Sequence, residues 1–242
     1  MDRYLCMFAH GEQYINVLVQ QNELMKDKFK TIFNYTSDWL KDSGFDDLEN
    51  VKYIRENLDT GYGGCSWKPY VILKTMEHIN DGDLLFYMDV ADYVYNPDFY
   101  EWVENLVKKD LDGYFFNVNY YKHGEWTTKK CQEVMNCDTP HYYNQRQLEA
   151  GTIALIKNKQ NVELLKEWLT WCLTPDAILK NRNPKEGNDP GFIDHRMDQS
   201  ILTNLFYKYG LSGVGMESVR AYIVYNYFER SMKGLENKNK YD

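Results

Sequence analysis

The chain lacks long apolar runs, paired cysteines and any basic stripe, and each absence removes a class of protein. The longest early hydrophobic segment, residues 5–9, falls far short of the roughly 20 residues that a membrane-spanning helix needs. It is also too short and too poorly flanked for a secretory signal, so a soluble, unexported, cytoplasmic protein is expected. Five cysteines, Cys6, Cys65, Cys131, Cys137 and Cys172, are scattered with no CxxC pair, which argues against a zinc site or a disulfide framework. A formal net charge of −8 without clustered lysine or arginine argues against nucleic acid as a partner. No P-loop, no GxGxxG and no Ser-His-Asp order is present.

What is present is enough to build one large core. The 242 residues are 43% hydrophobic and 16% aromatic, which fits a single α/β domain over residues 1–235 with a frayed polar tail at 236–242. Short apolar runs at 4–9, 84–88, 113–118 and 148–156 read as strands, with another at 30–35. Helical patterns cover 12–28, 67–80, 97–109, 159–173 and 197–209, while 38–60 is weakly patterned and reads as irregular structure with one helical turn. Asn96-Pro97 is a good helix start. Alternation of this kind predicts a mainly parallel central sheet flanked by helices on both faces. Such sheets bind ligands beyond the carboxyl ends of their strands, which singles out His10-Gly11, the loop at 61–68 and the segment at 89–95.

The strongest constellation is Met88-Asp89-Val90-Ala91-Asp92, two carboxylates directly after a strand buried on both faces. Across a tight turn, residues i and i+3 lie within about 7 Å, so Asp89 and Asp92 can face one ion. Their hard oxygens suit Mn²⁺ or Mg²⁺, which leave positions open for phosphate oxygens. An aspartate in this place could instead cap the next helix, but Asn96-Pro97 already fills that role. The loop Gly61-Tyr62-Gly63-Gly64-Cys65-Ser66-Trp67-Lys68-Pro69 brings Gly63, Trp67 and Lys68 to a helix N-terminus, a natural anion site, although most glycine clusters are only turns. In Asp194-His195-Arg196-Met197-Asp198, His195 could ligate a metal and Arg196 could offset phosphate charge. Asp198 could act as a base or bind sugar hydroxyls; acidic residues favoured by a helix dipole explain the pattern as well. Glu149, at the head of the strand at 148–156, is a second candidate base. His10 could meet a nucleobase or a pyrophosphate, or serve structurally. The aromatic stretch from Tyr120 to Trp126 and His141-Tyr142-Tyr143 suits sugar stacking or plain core packing.

The run Gly61-Tyr62-Gly63 with Trp67-Lys68-Pro69-Tyr70, followed by Gly82-Asp83-Leu84-Leu85-Phe86-Tyr87-Met88-Asp89, resembles small GT-A-fold glycosyltransferases of bacterial polysaccharide loci and large DNA viruses. It is similar above all to the N-terminal glycosyltransferase domain of multi-domain chlorovirus enzymes. Gln147-Leu148-Glu149-Ala150-Gly151 and His195-Arg196-Met197-Asp198-Gln199-Ser200 match the same family, and the likeness spans residues 4–209. The resemblance implies a UDP-linked hexose or deoxyhexose donor, a glycan hydroxyl as acceptor and, for a viral protein, the host cytoplasm. It implies that Ala9 and His10 line the uridine site. Asp89 matches the first aspartate of the family's Asp-x-Asp motif. Asp92 stands one residue late, because Ala91 occupies the second position.

For a base acting on the acceptor hydroxyl, Asp198 is favoured over Glu149; in a retaining enzyme Asp198 would contact the donor sugar instead. Two rivals stand beside this reading. A nucleotidyltransferase that makes nucleotide-sugars carries a glycine-rich basic loop after its first strand, and His10-Gly11-Glu12 is a poor version of one. A non-catalytic glycan-binding module has no use for paired carboxylates at a strand end.

Overall fold

The computed structural model describes residues 1–58, 60–109, 111, 113–180 and 187–232, so the tail expected at 236–242 lies outside the described residues. Eight strands occur among them: β1 (Arg3–Ala9), β2 (Thr31–Thr36), β3 (Leu84–Met88), β4 (Tyr93–Val94), β5 (Tyr114–Lys122), β6 (Arg146–Ile156), β7 (Val214–Gly215) and β8 (Ile223–Val224). Six form one sheet in the order β2-β1-β3-β6-β5-β7, and β4 pairs with β8 in a small antiparallel ribbon. β1 runs parallel to β2 and β3, and β5 parallel to β7. β6 runs against both of its neighbours, so five strands share one direction. The expected α/β class with a mainly parallel sheet is therefore found.

Helices cover both faces because the central strands are apolar on both. Successive side chains of a strand point to opposite sides. In β1, Tyr4, Cys6 and Phe8 join one core, together with residues of the helices Lys68–Met76, Lys159–Cys172 and Asp198–Lys208. Leu5, Met7 and Ala9 join the other, with the helices Glu12–Met25 and Asp98–Lys109. β3 repeats the division, Leu85 and Tyr87 against Leu84, Phe86 and Met88, and all five are buried. Burying a side chain such as Phe86 contributes about 1.5–3 kcal/mol, so this doubly covered strand is a firm anchor for whatever follows it.

The segment at 38–60 is more ordered than expected. It holds the helices Ser37–Asp42 and Val51–Asn57 with a 3-10 turn, Phe45–Asp47, between them. Each is too short to show a helical period, and they are fixed by buried Leu40, Phe45, Val51 and Ile54. β5 also runs past the expected end at 118, into the polar residues Asn119 to Lys122. The expected helix at 67–80 stops at Met76, whereas the one expected from Pro97 begins at Asp98, whose N–H is capped by Asn96 Oδ1 at 3.1 Å.

Candidate functional site

The carboxyl end of β3 and the head of β6 meet because β6 runs antiparallel. Met88 pairs with Thr152, and the ladder continues one step further as Asp89 N–H donates to Gly151 O at 2.7 Å. The chain then turns at once. Asp92 N–H donates to Asp89 O at 3.0 Å, the tight turn anticipated from their spacing. Gln21, from the helix Glu12–Met25, supports this turn by donating to Val90 O at 3.2 Å and to Asp92 O.

Three carboxylates consequently face Gly151. A Cβ placed on that glycine would lie 2.8 Å from Asp92 Oδ2, 3.2 Å from Asp89 Oδ2 and 3.6 Å from Glu149 Oε1. Asp92 is 2% exposed; its Oδ1 accepts from Asn226 N–H at 2.8 Å, while its Oδ2 has no hydrogen-bond partner. Burial, then the neighbouring Asp89, holds the Asp92 carboxyl well above the usual carboxylate range. Burial and Asp89 likewise push Glu149 up to about 7. Among the described residues no three His, Cys, Asp or Glu side chains stand as a ready-made cation site. The donor chemistry nonetheless fits a hard divalent ion. The orphaned buried oxygen of Asp92 and the neighbouring carboxylate of Asp89 would supply part of its shell, with the remaining positions left to phosphate and water oxygens.

Lys68 is where the structure departs most from expectation. It opens the helix Lys68–Met76 but points into the protein, only 3% exposed. Its ammonium donates to Ala150 O at 3.1 Å and forms ion pairs with Asp89 Oδ1 at 3.2 Å and Asp198 Oδ2 at 3.1 Å. Burial alone would lower its pKa, but Asp198 and Asp89 more than reverse that. The ammonium is thus enclosed inside the protein by one carbonyl and two carboxylates. Lys68 braces the carboxylates from behind instead of presenting its charge to an anion at the helix end.

Asp198 is drawn into the same brace. It is 4% exposed, at the start of the helix Asp198–Lys208, and burial pushes it up to about 6 although Lys68 opposes the shift. It lines neither of the two clefts beside the site. Glu149 does line one and receives a hydrogen bond from Asn119 Nδ2 at 3.1 Å. His195 is fully buried. Its Nδ1 accepts from Thr128 N–H at 3.2 Å and its Nε2 faces Ala177 O at 3.0 Å, so both nitrogens serve the local fold. Burial lowers it to about 4.

The first cleft, of about 360 Å³, lies between the ends of β1 and β3. Phe8, His10, Tyr14, Gly61, Tyr62, Trp67, Asp89 and Ala91 line it. His10 and Tyr62 bring their rings to 4.2 Å, and Trp67 stacks on Phe8 at 3.7 Å while donating from its indole N–H to Gly61 O at 3.1 Å. Ala9 itself points into the core, and Gly63 sits under Arg55, away from the lining. Gly61 takes the place expected for Gly63. A second cleft, of about 290 Å³, adjoins the first through Asn226 and carries Asn119, Tyr121, Glu149, Arg196, Arg220 and Tyr225.

Several residues at the site are not singled out by the sequence. Tyr87 donates its hydroxyl to Asp89 Oδ1 at 2.6 Å, and its position two residues before Asp89 on the same face of β3 was the available signal. Asn226 and Tyr225 arrive through the β4–β8 ribbon, whose two-residue strands have no readable period.

No family profile matches the chain, and neither does any curated protein. Solved structures do. Mouse xyloside xylosyltransferase 1, in its apo form, is 10% identical over 89% of this chain and 85% of its own, with a TM-score of 0.46. A glycosyltransferase involved in glycosylation of the major capsid of PBCV-1 is 9% identical over 93% and 92%, with a TM-score of 0.42. A Bacillus anthracis protein assigned as a glucose-1-phosphate thymidylyltransferase, solved with sucrose, is 7% identical over 99% and 98%, with a TM-score of 0.43. Likenesses this distant leave function to the geometry of the site.

Proposed function

We propose that this chain is a GT-A-type glycosyltransferase that uses a divalent cation to move a hexose or deoxyhexose from a UDP-sugar to a glycan hydroxyl. The observation that carries the reading is the convergence of Asp89 and Asp92 on Gly151 at the end of β3, between two adjoining clefts. The first cleft would take the nucleotide, with His10 and Tyr62 against the base. Asp89 and Asp92 would hold Mn²⁺ or Mg²⁺. That ion, when bound, stabilises the negative charge on the departing nucleoside diphosphate.

The chain's own residues supply the rest. Lys68 keeps Asp89 and Asp198 oriented and offsets part of their charge. Tyr87 fixes the other side of Asp89. Glu149 lines the cleft that an acceptor would enter, where a carboxylate can take a proton. Asn119 orients its carboxylate. In an inverting reaction Glu149 would draw the proton from the acceptor hydroxyl; Asp198, locked behind Lys68, positions Asp89.

The test is a panel of UDP-, GDP- and dTDP-sugars, each with and without Mn²⁺, scored for binding and slow hydrolysis. A UDP-sugar hydrolysed only with the cation is expected. Formation of a nucleotide-sugar from a nucleoside triphosphate and a sugar phosphate would instead establish the nucleotidyltransferase reading.

A further inference from the structure

We infer that the side-chain amide of Asn226 holds hydroxyls of the sugar being transferred and so helps to select the donor. This rests on the reading of the two clefts as donor and acceptor sites, and it deepens that reading by naming a specificity residue.

The placement of Asn226 carries the inference. Among the described residues, it alone lines both clefts. The sugar of a nucleotide-sugar lies between its diphosphate and the hydroxyl that attacks it, since the anomeric carbon is bonded to one and approached by the other. Here the diphosphate belongs beside Asp89 in the first cleft, and the attacking hydroxyl beside Glu149 in the second. The wall that Asn226 forms stands where the two meet.

The backbone on either side of Asn226 is tied down. Asn226 N–H donates to Asp92 Oδ1 at 2.8 Å. Before it, Val224 and Ile223 pair with Tyr93 and Val94, and the Tyr225 hydroxyl accepts from Asn117 Nδ2. After it, the Tyr227 ring lies 5.0 Å from that of Tyr93, and Phe228 N–H donates to Ala91 O at 3.1 Å. Asn226 itself has φ 53, in the left-handed region that most side chains avoid and asparagine tolerates. Backbones held in such conformations gather where a side chain has to be aimed.

The side chain is not spent on the fold. Asn226 is exposed, and among the described residues only its backbone is hydrogen-bonded. An amide offers an acceptor oxygen and two N–H donors in one plane, which suits neighbouring hydroxyls whose directions differ between epimeric sugars.

Two other roles compete. The amide could serve the acceptor, or Asn226 could matter only as the backbone tie to Asp92. Asn226→Gly separates them, because glycine adopts φ 53 freely and keeps the N–H that Asp92 accepts. UDP, UDP-glucose, UDP-galactose and UDP-N-acetylglucosamine are titrated calorimetrically into the full chain and the variant, with Mn²⁺ and without acceptor. The affinity for each UDP-sugar is then divided by the affinity for UDP.

For at least one sugar that ratio should fall by about 3- to 10-fold in Asn226→Gly, the loss of one neutral hydrogen bond. The affinity for UDP itself should stay within about twofold of the parent protein. Ratios unchanged for all three sugars overturn the inference and are the result expected of an amide that serves the acceptor. Equal weakening of UDP and every UDP-sugar also overturns it, leaving Asn226 as support for Asp92. A parent protein that binds no UDP with Mn²⁺ defeats the donor reading and this inference together, whereas UDP binding with unchanged ratios defeats the inference alone.

Discussion

The Lys68 ammonium lies 3.1 Å from Asp198 Oδ2, with only 3% and 6% of the two side chains exposed. Asp89 shares the same cation at 3.2 Å. Removing one partner of a buried pair leaves the other charge uncompensated, which costs about 3–5 kcal/mol. Lys68→Met should lose stability on that scale in urea unfolding. Lys68→Met with Asp198→Asn should lose less than the two single losses combined. If Lys68 gripped the diphosphate directly, Lys68→Ala would weaken UDP far more than uridine. Measured without divalent cations, the buried brace predicts a stability defect and no selective loss of UDP over uridine.

Gly151 tests the cation cradle without touching a carboxylate. Its backbone lies outside the left-handed region, so alanine is free of strain there. The added methyl would stand 2.8 Å from Asp92 Oδ2 and 3.2 Å from Asp89 Oδ2 and force them apart. Gly151→Ala should keep its fold by circular dichroism and keep its metal-free affinity for uridine. It should lose the gain in UDP affinity that Mn²⁺ provides. An unchanged cation effect would mean that the ion binds elsewhere.

How much of this could be read from the chain depends on how local each feature is. β3 and the turn after it are contiguous, so the apolar run at 84–88 and the spacing of Asp89 and Asp92 disclosed them directly. The glycine loop was legible as a close turn beside the site, but which glycine lines the cleft depended on Arg55 folding over Gly63. The direction of Lys68 was not legible, because it turns on a carbonyl at Ala150 and a carboxylate at Asp198, both far along the chain. His195 looked like a ligand by residue type, and only the tertiary fold shows its nitrogens spent on Thr128 and Ala177. That Glu149 lines an open cleft and Asp198 does not was hidden for the same reason: both are acids near the site, and only the fold separates them.

Glu149 gives the site a pH signature. Its folded pKa, pushed up to about 7 by burial and Asp89, exceeds its unfolded value, so the folded protein holds the proton more tightly. The stability it contributes is full below about 4.5 and is lost as pH rises through about 7. Glu149→Gln carries no such proton. Without divalent cations, the melting temperature of Glu149→Gln minus that of the parent protein should therefore rise from about pH 5 to about pH 8. A flat difference would show that Glu149 titrates as an ordinary surface acid.

His10 tests the nucleotide cleft. Its ring lies 4.2 Å from Tyr62 at the cleft wall, and an aromatic contact of this kind is worth about 0.5–1.5 kcal/mol. His10→Ala should weaken uridine and UDP by the same factor, about 2- to 10-fold, in calorimetry. A loss confined to UDP would move His10 from the base to the diphosphate.

The central claim is that Asp89 holds a cation against a uridine diphosphate, and it is most directly tested by titrating UDP into the parent protein and Asp89→Asn, with and without Mn²⁺. The parent should bind UDP markedly more tightly with Mn²⁺, and Asp89→Asn should bind it with the same weak affinity under both conditions while remaining folded. Equal, cation-enhanced affinity in both proteins would contradict the account.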